Sequence, residues 1–190
     1  MMAMTRSLFR SCSTCRKEPD QMLSFINEDL CRVNKENFVT AIYAVYDARR
    51  RSLTIARTGH PHPMHYRASQ KAAMEVSCDG VFAMGWDPYA QVPVTEIRLE
   101  PGDRLLFYTD GVTERFNEEH ELYGTTRLMR QPEAVDSDDP AKILEKIVED
   151  LSQFSGDRPA DDDQAVILLV TAQQLMLWRH DPLASDPGMA

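Results

Sequence analysis

Arg104-Leu105-Leu106-Phe107-Tyr108-Thr109-Asp110-Gly111 is the stretch on which the fold turns. Leu105 to Tyr108 make a nearly continuous apolar run, as expected of a central strand covered on both faces, and Thr109-Asp110-Gly111 stops it. A second run of this kind, Ala165-Val166-Ile167-Leu168-Leu169-Val170, follows an acidic loop over 156–163 and reads as the last central strand. Asp110 therefore stands at the carboxyl end of one apolar strand, and Asp161, Asp162 and Asp163 stand just before the other. If the two strands are antiparallel neighbours, the carboxylates converge at one edge of a sheet. Like charges that close repel, and one is forced to protonate unless a cation intervenes. Hard divalent cations such as Mg²⁺ and Mn²⁺ prefer clustered carboxylate oxygens. On spacing alone, a solvated acidic turn accounts for the same residues.

The rest of the chain supplies the layers around these strands. The spacing predicts helices over 1–16 and 19–33, the second with Met22, Leu23, Ile26, Leu30 and Val33 on one face. The period then changes to two. Residues 38–46 read as a strand, 52–56 as its hairpin partner, 64–67 as a short strand and 94–99 as another, with 68–90 irregular. A short helix is expected over 124–130. A longer one starts at Pro140, with Ile143, Leu144, Ile147, Val148 and Leu151 as its stripe. One domain over 1–172 and a loose tail over 173–190 follow from the fading of the pattern.

Composition narrows the function. The 190 residues are 43% hydrophobic and 27% charged, an ordinary globular balance. Lys plus Arg number 21 against 30 Asp plus Glu, a net charge of −9 that disfavours nucleic acid and anionic membrane surfaces. Without an apolar run of membrane-spanning length or a signal-peptide pattern, no membrane insertion is expected and a cytoplasmic location is the default. Cys12-Ser13-Thr14-Cys15 has the spacing of a redox pair or half a zinc site. Its place on the Met4, Leu8, Cys12, Cys15 stripe favours small buried core residues.

Six segments in order carry a family resemblance: Phe38-Val39-Thr40-Ala41-Ile42-Tyr43, Thr58-Gly59-His60-Pro61, Leu99-Glu100-Pro101-Gly102-Asp103, Tyr108-Thr109-Asp110-Gly111-Val112-Thr113-Glu114, Glu121-Leu122-Tyr123-Gly124 and Asp162-Asp163. Over roughly residues 1–171 the chain resembles the bacterial PPM-type, protein phosphatase 2C-like serine/threonine phosphatases of the SpoIIE/RsbU branch. The resemblance implies an α+β fold, an α/β/β/α four-layer sandwich of mainly antiparallel sheets flanked by helices. It implies dephosphorylation of phosphoserine or phosphothreonine on a protein, here a phosphorylated anti-anti-sigma-type regulator in a partner switch. It also implies a pair of Mn²⁺ or Mg²⁺ ions whose bridging hydroxide attacks phosphorus. Carried over by position, Asp110 and Asp162 match catalytic metal ligands and Asp163 the supporting member of the closing pair, with Asp161 leaving the register open by one residue. His60 reads as a loop-structuring residue rather than a general acid.

The resemblance also marks a difference. Family members open with strands carrying Gly-Asp-x-Tyr-Asp and an Asp-x-x-Gly turn that supply the remaining metal carboxylates, and neither motif occurs in these 190 residues. The expectation is therefore an N-terminally truncated sandwich with an incomplete metal site and unpaired sheet edges that favour association, homodimers included. A catalytically inactive, phosphatase-like interaction module is the alternative.

Overall fold

The computed structural model describes residues 2–33, 38–135 and 137–171, and the side chains from Thr5 onward. In chain order the elements are α1 (Met2–Ser11), a 3₁₀ turn (Cys15–Lys17), α2 (Pro19–Val33), β1 (Ala41–Asp47), β2 (Ser52–Thr58), β3 (Met64–Arg67), β4 (Ala72–Glu75), β5 (Val94–Arg98), β6 (Arg104–Tyr108), a one-turn α3 (Asp110–Thr113), α4 (Gly124–Ala134), α5 (Pro140–Ser155) and β7 (Val166–Val170). One sheet has the order β1-β2-β5 and the other β4-β3-β6-β7, with every pair antiparallel. The sheets pack face to face with α1 and α2 outside the first and α4 and α5 outside the second, which is the expected four-layer sandwich. No helix among the described residues is long and apolar enough to cross a membrane.

Side-chain alternation builds three clusters from this order. Leu53 and Ile55 of β2 meet Leu105 of β6 between the sheets, all at most 2% exposed. Ala56, on the other face of β2, packs with Met22, Leu23, Ile26 and Leu30 of α2. Leu106 and Tyr108 of β6 point outward onto Ile143, Ile147 and Leu151 of α5. Both faces of β6 are thus covered, as its unbroken apolar run requires. Helix α5 starts where Asp139 accepts the Ala141 N–H at 3.0 Å and Pro140 fills the first turn.

β6 is pinned at its start. Asp103 is buried and accepts hydrogen bonds from the Ala68 and Glu100 N–H groups, both at 3.0 Å, and its carboxylate lies 2.9 Å from His65 Nε2. Arg104 is buried beside it. Its guanidinium donates to the carbonyls of Pro132, Val135 and Ser137 and stacks over the Tyr66 ring. These contacts tie the strand to the end of α4 and fix the register that the rest of β6 inherits.

Five sequence expectations change. Helix 1–16 ends at Ser11, and Cys12 is disulfide-bonded to Cys15, so these two are not simply core thiols although Cys12 is buried. β4 falls in the segment expected to be irregular: Ala72 and Ala73 have weak strand preference, and pairing with β3 decides the outcome. α4 runs to Ala134 through Pro132, past the expected end. The strand expected to be central, β7, ends its sheet among the described residues, although its apolar residues pack on both faces, Val166, Leu168 and Val170 towards α5 and Leu169 between the sheets. The expected tail over 173–190 lies outside the described residues.

Candidate active site

Pairing of β6 with β7 brings Tyr108 opposite Val166, so the turn after β6 meets the loop before β7. Thr109 laces them together. Its N–H donates to the Ala165 carbonyl (3.0 Å), its hydroxyl donates to the Asp163 carbonyl (3.0 Å), and the same hydroxyl accepts the Ala165 N–H (2.9 Å). Gln164 Nε2 closes the seam on the Gly111 carbonyl at 3.0 Å.

Gly111 permits this closeness. A Cβ at that position would stand 2.5 Å from the Asp163 carbonyl oxygen, a contact that real Cβ atoms essentially never make, and a tight 3.3 Å from the Asp162 carbonyl carbon. Val112, fully buried in the cluster beneath α5, anchors the single turn of α3 from the other side. Asp110 opens that turn and is exposed. Its Oδ1 accepts the Gly111 N–H at 3.0 Å, and its carbonyl accepts the Glu114 N–H at 2.8 Å. Asp162 holds its own carboxylate in the same way, accepting the Asp163 N–H at 2.7 Å, while Asp161 lies 3.5 Å from Arg158. The seam brings the Asp110 turn against the backbone of Asp162 and Asp163, and all three aspartates are solvent-exposed.

His60 is the residue that sequence reasoning undervalued. It leaves β2 through Gly59, whose backbone has φ +64° and whose missing Cβ makes room for Ala83 and Thr40. The half-buried imidazole lies near the Tyr108 backbone and feels the charge of Asp110. Burial lowers its pKa from the ordinary value, with the Arg57 cation acting in the same direction and Asp110 opposing both. Arg57 holds this corner by donating to the carbonyls of His60 (2.8 Å) and Cys78 (3.0 Å). Burial also pushes the Tyr108 phenol up to about 12, with the Glu75 charge adding to it. The signal in the sequence was the Gly59-His60-Pro61 run, which marks a fixed loop without saying where it lands.

Among the described residues, no three His, Cys, Asp or Glu side chains converge closely enough to hold a metal. Asp110, Asp162 and Asp163 alone do not make a metal centre.

The family model for Stage II sporulation protein E matches residues 1–172. The chain belongs to the SpoIIE family. Its α/β/β/α sandwich and its Thr109-Asp110-Gly111 turn are those of a SpoIIE/RsbU-branch PPM-type domain. Among solved structures, this SpoIIE-family chain is similar to the RsbU and RsbW domains of Rv1364c from Mycobacterium tuberculosis, with a TM-score of 0.77 at 22% identity over 92% of this chain and 48% of that one. It is also similar to the phosphatase domain of the cell fate determinant SpoIIE from Bacillus subtilis, presoaked with Mn, with a TM-score of 0.64 at 17% identity over 97% of this chain and 78% of that one. Protein IcfG of Synechocystis is 29% identical over 92 residues, which is 48% of this chain and 14% of that protein. The SpoIIE-family chain thus spans only a small part of this curated relative and about half of the Mycobacterium structure.

Proposed function

We propose that these residues form part of a phosphoserine/phosphothreonine protein phosphatase domain acting in bacterial regulatory partner switching, on a phosphorylated anti-anti-sigma-type protein. The observation that supports this reading is the seam, which holds the Thr109-Asp110-Gly111 turn against the backbone of Asp162 and Asp163 in a SpoIIE-family chain. Exposed carboxylates repel a phosphoryl group, so phosphoryl transfer at this end requires cations to neutralise charge. Mn²⁺ or Mg²⁺ suits oxygen ligands of this kind. The ions need more oxygen ligands than Asp110, Asp162 and Asp163 supply, so the 190-residue chain alone should hydrolyse p-nitrophenyl phosphate far below the roughly 10 s⁻¹ typical of enzymes.

The small donor set also favours a second reading, a phosphatase-like module that binds its partner without hydrolysis. Metal response separates the two. With a site near 1 mM, 10 mM Mn²⁺ should stabilise the chain by roughly 1.4 kcal/mol, a rise in melting temperature of a few degrees. Asp110→Asn should lose that rise. An equal rise in both proteins would place the ion elsewhere and overturn the assignment, and no rise in either would leave the binding module as the better description.

A further inference from the structure

The four cysteines fall into two kinds. Cys78 is buried, Cys31 donates from α2 to Asn27 Oδ1 at 3.7 Å, and burial pushes both free thiols up. Cys12 and Cys15 are joined as a disulfide, and its two sulfurs are unequally placed. Cys12 is 6% exposed and packs with Met22, Leu23 and Ile26 of α2, while Cys15 opens the 3₁₀ turn and is only partly covered. A thiolate arriving from solvent therefore reaches Cys15 Sγ and expels Cys12 Sγ. Thr14 Oγ1 lies 3.7 Å from Cys12 Sγ and 3.8 Å from Cys15 Sγ, so one hydroxyl can donate to whichever sulfur carries charge. Exposed Arg10, Arg16 and Lys17 flank the pair, and residues 1–17 include no acid although the whole chain has a net charge of −9. Cations near a disulfide stabilise the thiolate that opens and draw in an anionic thiol.

The pair also sits where its state is felt. Phe9 of α1 stacks on the Tyr43 ring of β1 with centroids 5.8 Å apart, and the Tyr43 hydroxyl donates to the Arg16 carbonyl at 3.2 Å. Just before α2, the Glu18 N–H donates to the Cys15 carbonyl at 3.0 Å. The disulfide therefore lies in the chain between the two contacts, Phe9 and Arg16, that seat this corner on β1. We propose that Cys12 and Cys15 form a reversible thiol–disulfide exchange site for a small anionic thiol, which locks the turn between α1 and α2 when oxidised and loosens it when reduced. In the reducing direction a first thiolate bonds to Cys15 Sγ, the Cys12–Cys15 bond breaks, and Cys12 leaves with the electron pair and takes a proton. A second thiolate attacks the outer sulfur of that mixed disulfide, and Cys15 leaves in turn and is protonated. Two small thiols are thereby oxidised to one disulfide, and the protein gains two electrons and two protons. The small disulfide runs the same steps backwards.

Glutathione serves as the probe on the intact 190-residue chain, read by maleimide labelling and peptide mass spectrometry. Before reduction the peptide carrying Cys12 and Cys15 should take no label, after reduced glutathione it should take two, and glutathione disulfide should remove both sites again. Raised NaCl should slow reduction by glutathione and leave reduction by uncharged mercaptoethanol unchanged. In hydrogen exchange, the Glu18 amide and its neighbours in the turn should exchange about tenfold faster in the reduced protein, the scale of the closure entropy of so short a ring. The β6 amides should exchange equally in both states. Cys12→Ser should trap one glutathione on Cys15, and Cys15→Ser should trap none on the buried Cys12. If either variant misfolds, labelling and exchange of the unaltered chain decide. Two labels without reduction, a disulfide that glutathione leaves closed, the same salt dependence for both thiols, or equal exchange of the turn in both states overturns the proposal.

Discussion

Asp103 and Asp110 bracket the same strand, one just before β6 and one just after it, and they are used in opposite ways. Asp103 is 3% exposed, and both its oxygens are engaged, by the Ala68 and Glu100 N–H groups and by the His65 ring. Asp110 is exposed and accepts the N–H of the next residue on Oδ1. The Pro-Gly-Asp turn consumes its carboxylate to hold the fold, and the Thr-Asp-Gly turn presents its carboxylate to solvent. Each flanks one end of β6; what differs is how many donors the surrounding chain brings within reach. A buried aspartate is therefore no evidence of chemistry in this domain, and the exposed one is the better candidate.

The largest effect that sharpens the contrast comes from Asp103→Ala. It strands the His65 ring and two backbone donors in the interior and should cost about 3–5 kcal/mol in urea unfolding. A loss below about 1 kcal/mol would show that water replaces the carboxylate, and the contrast would collapse. Gly111→Ala comes next. Its methyl cannot share space with the Asp163 carbonyl at 2.5 Å, so the seam must open at a cost of about 1–3 kcal/mol, the scale of overpacking. Loss of the Mn²⁺ response should accompany it, although no carboxylate has been removed.

A third aspartate lies between these extremes. Burial pushes the Asp150 carboxyl up, but its hydrogen bonds from Arg127 (2.9 Å) and Tyr123 (2.7 Å) outweigh that and hold it below its ordinary value of 3.8. A pKa lowered on folding contributes stability that is present above 3.8 and lost as pH falls below it. Asp150→Asn should therefore flatten the acid limb of a plot of melting temperature against pH, and an unchanged limb would remove Asp150 from the account. The smallest effect belongs to Asp110→Asn, which should shift metal-free stability by no more than about 0.5 kcal/mol. A loss near that of Asp103→Ala would mean the exposed carboxylate is structural after all.

Much of this was legible in the residues. The apolar runs at 104–108 and 165–170 and the hairpin over 41–58 follow from local pattern, and the structure pairs them as the pattern suggests. The approach of the Asp110 turn to the backbone of Asp162 and Asp163 followed from those two strands being antiparallel. What stayed hidden depends on distant neighbours. β4 exists because β3 offers it a partner. Whether β7 is central or terminal depends on how many strands follow it across the sheet, which no window of sequence contains. His60 reaches the Tyr108 backbone across 48 positions, a contact that only the stacking of the two sheets creates. The Cys12–Cys15 pairing was legible as spacing, but the helical stripe argued the other way.

The Thr109–Asp163 hydrogen bond joins positions 54 apart in the chain, and that separation sets an order of assembly. The β1–β2 hairpin closes across the short turn between Asp47 and Ser52 and can form as soon as it leaves the ribosome. The β6–β7 seam must wait for α4, α5 and the 156–163 loop to be made, roughly 3–10 s at ordinary rates of synthesis. Loop-closure entropy delays it further even in a finished chain. During that interval the edge of β6 that β7 will cover is the part of the nascent domain most open to mispairing. Substitutions that slow α5 or the loop should therefore lower the yield of soluble protein more than they lower the melting temperature of the molecules that succeed.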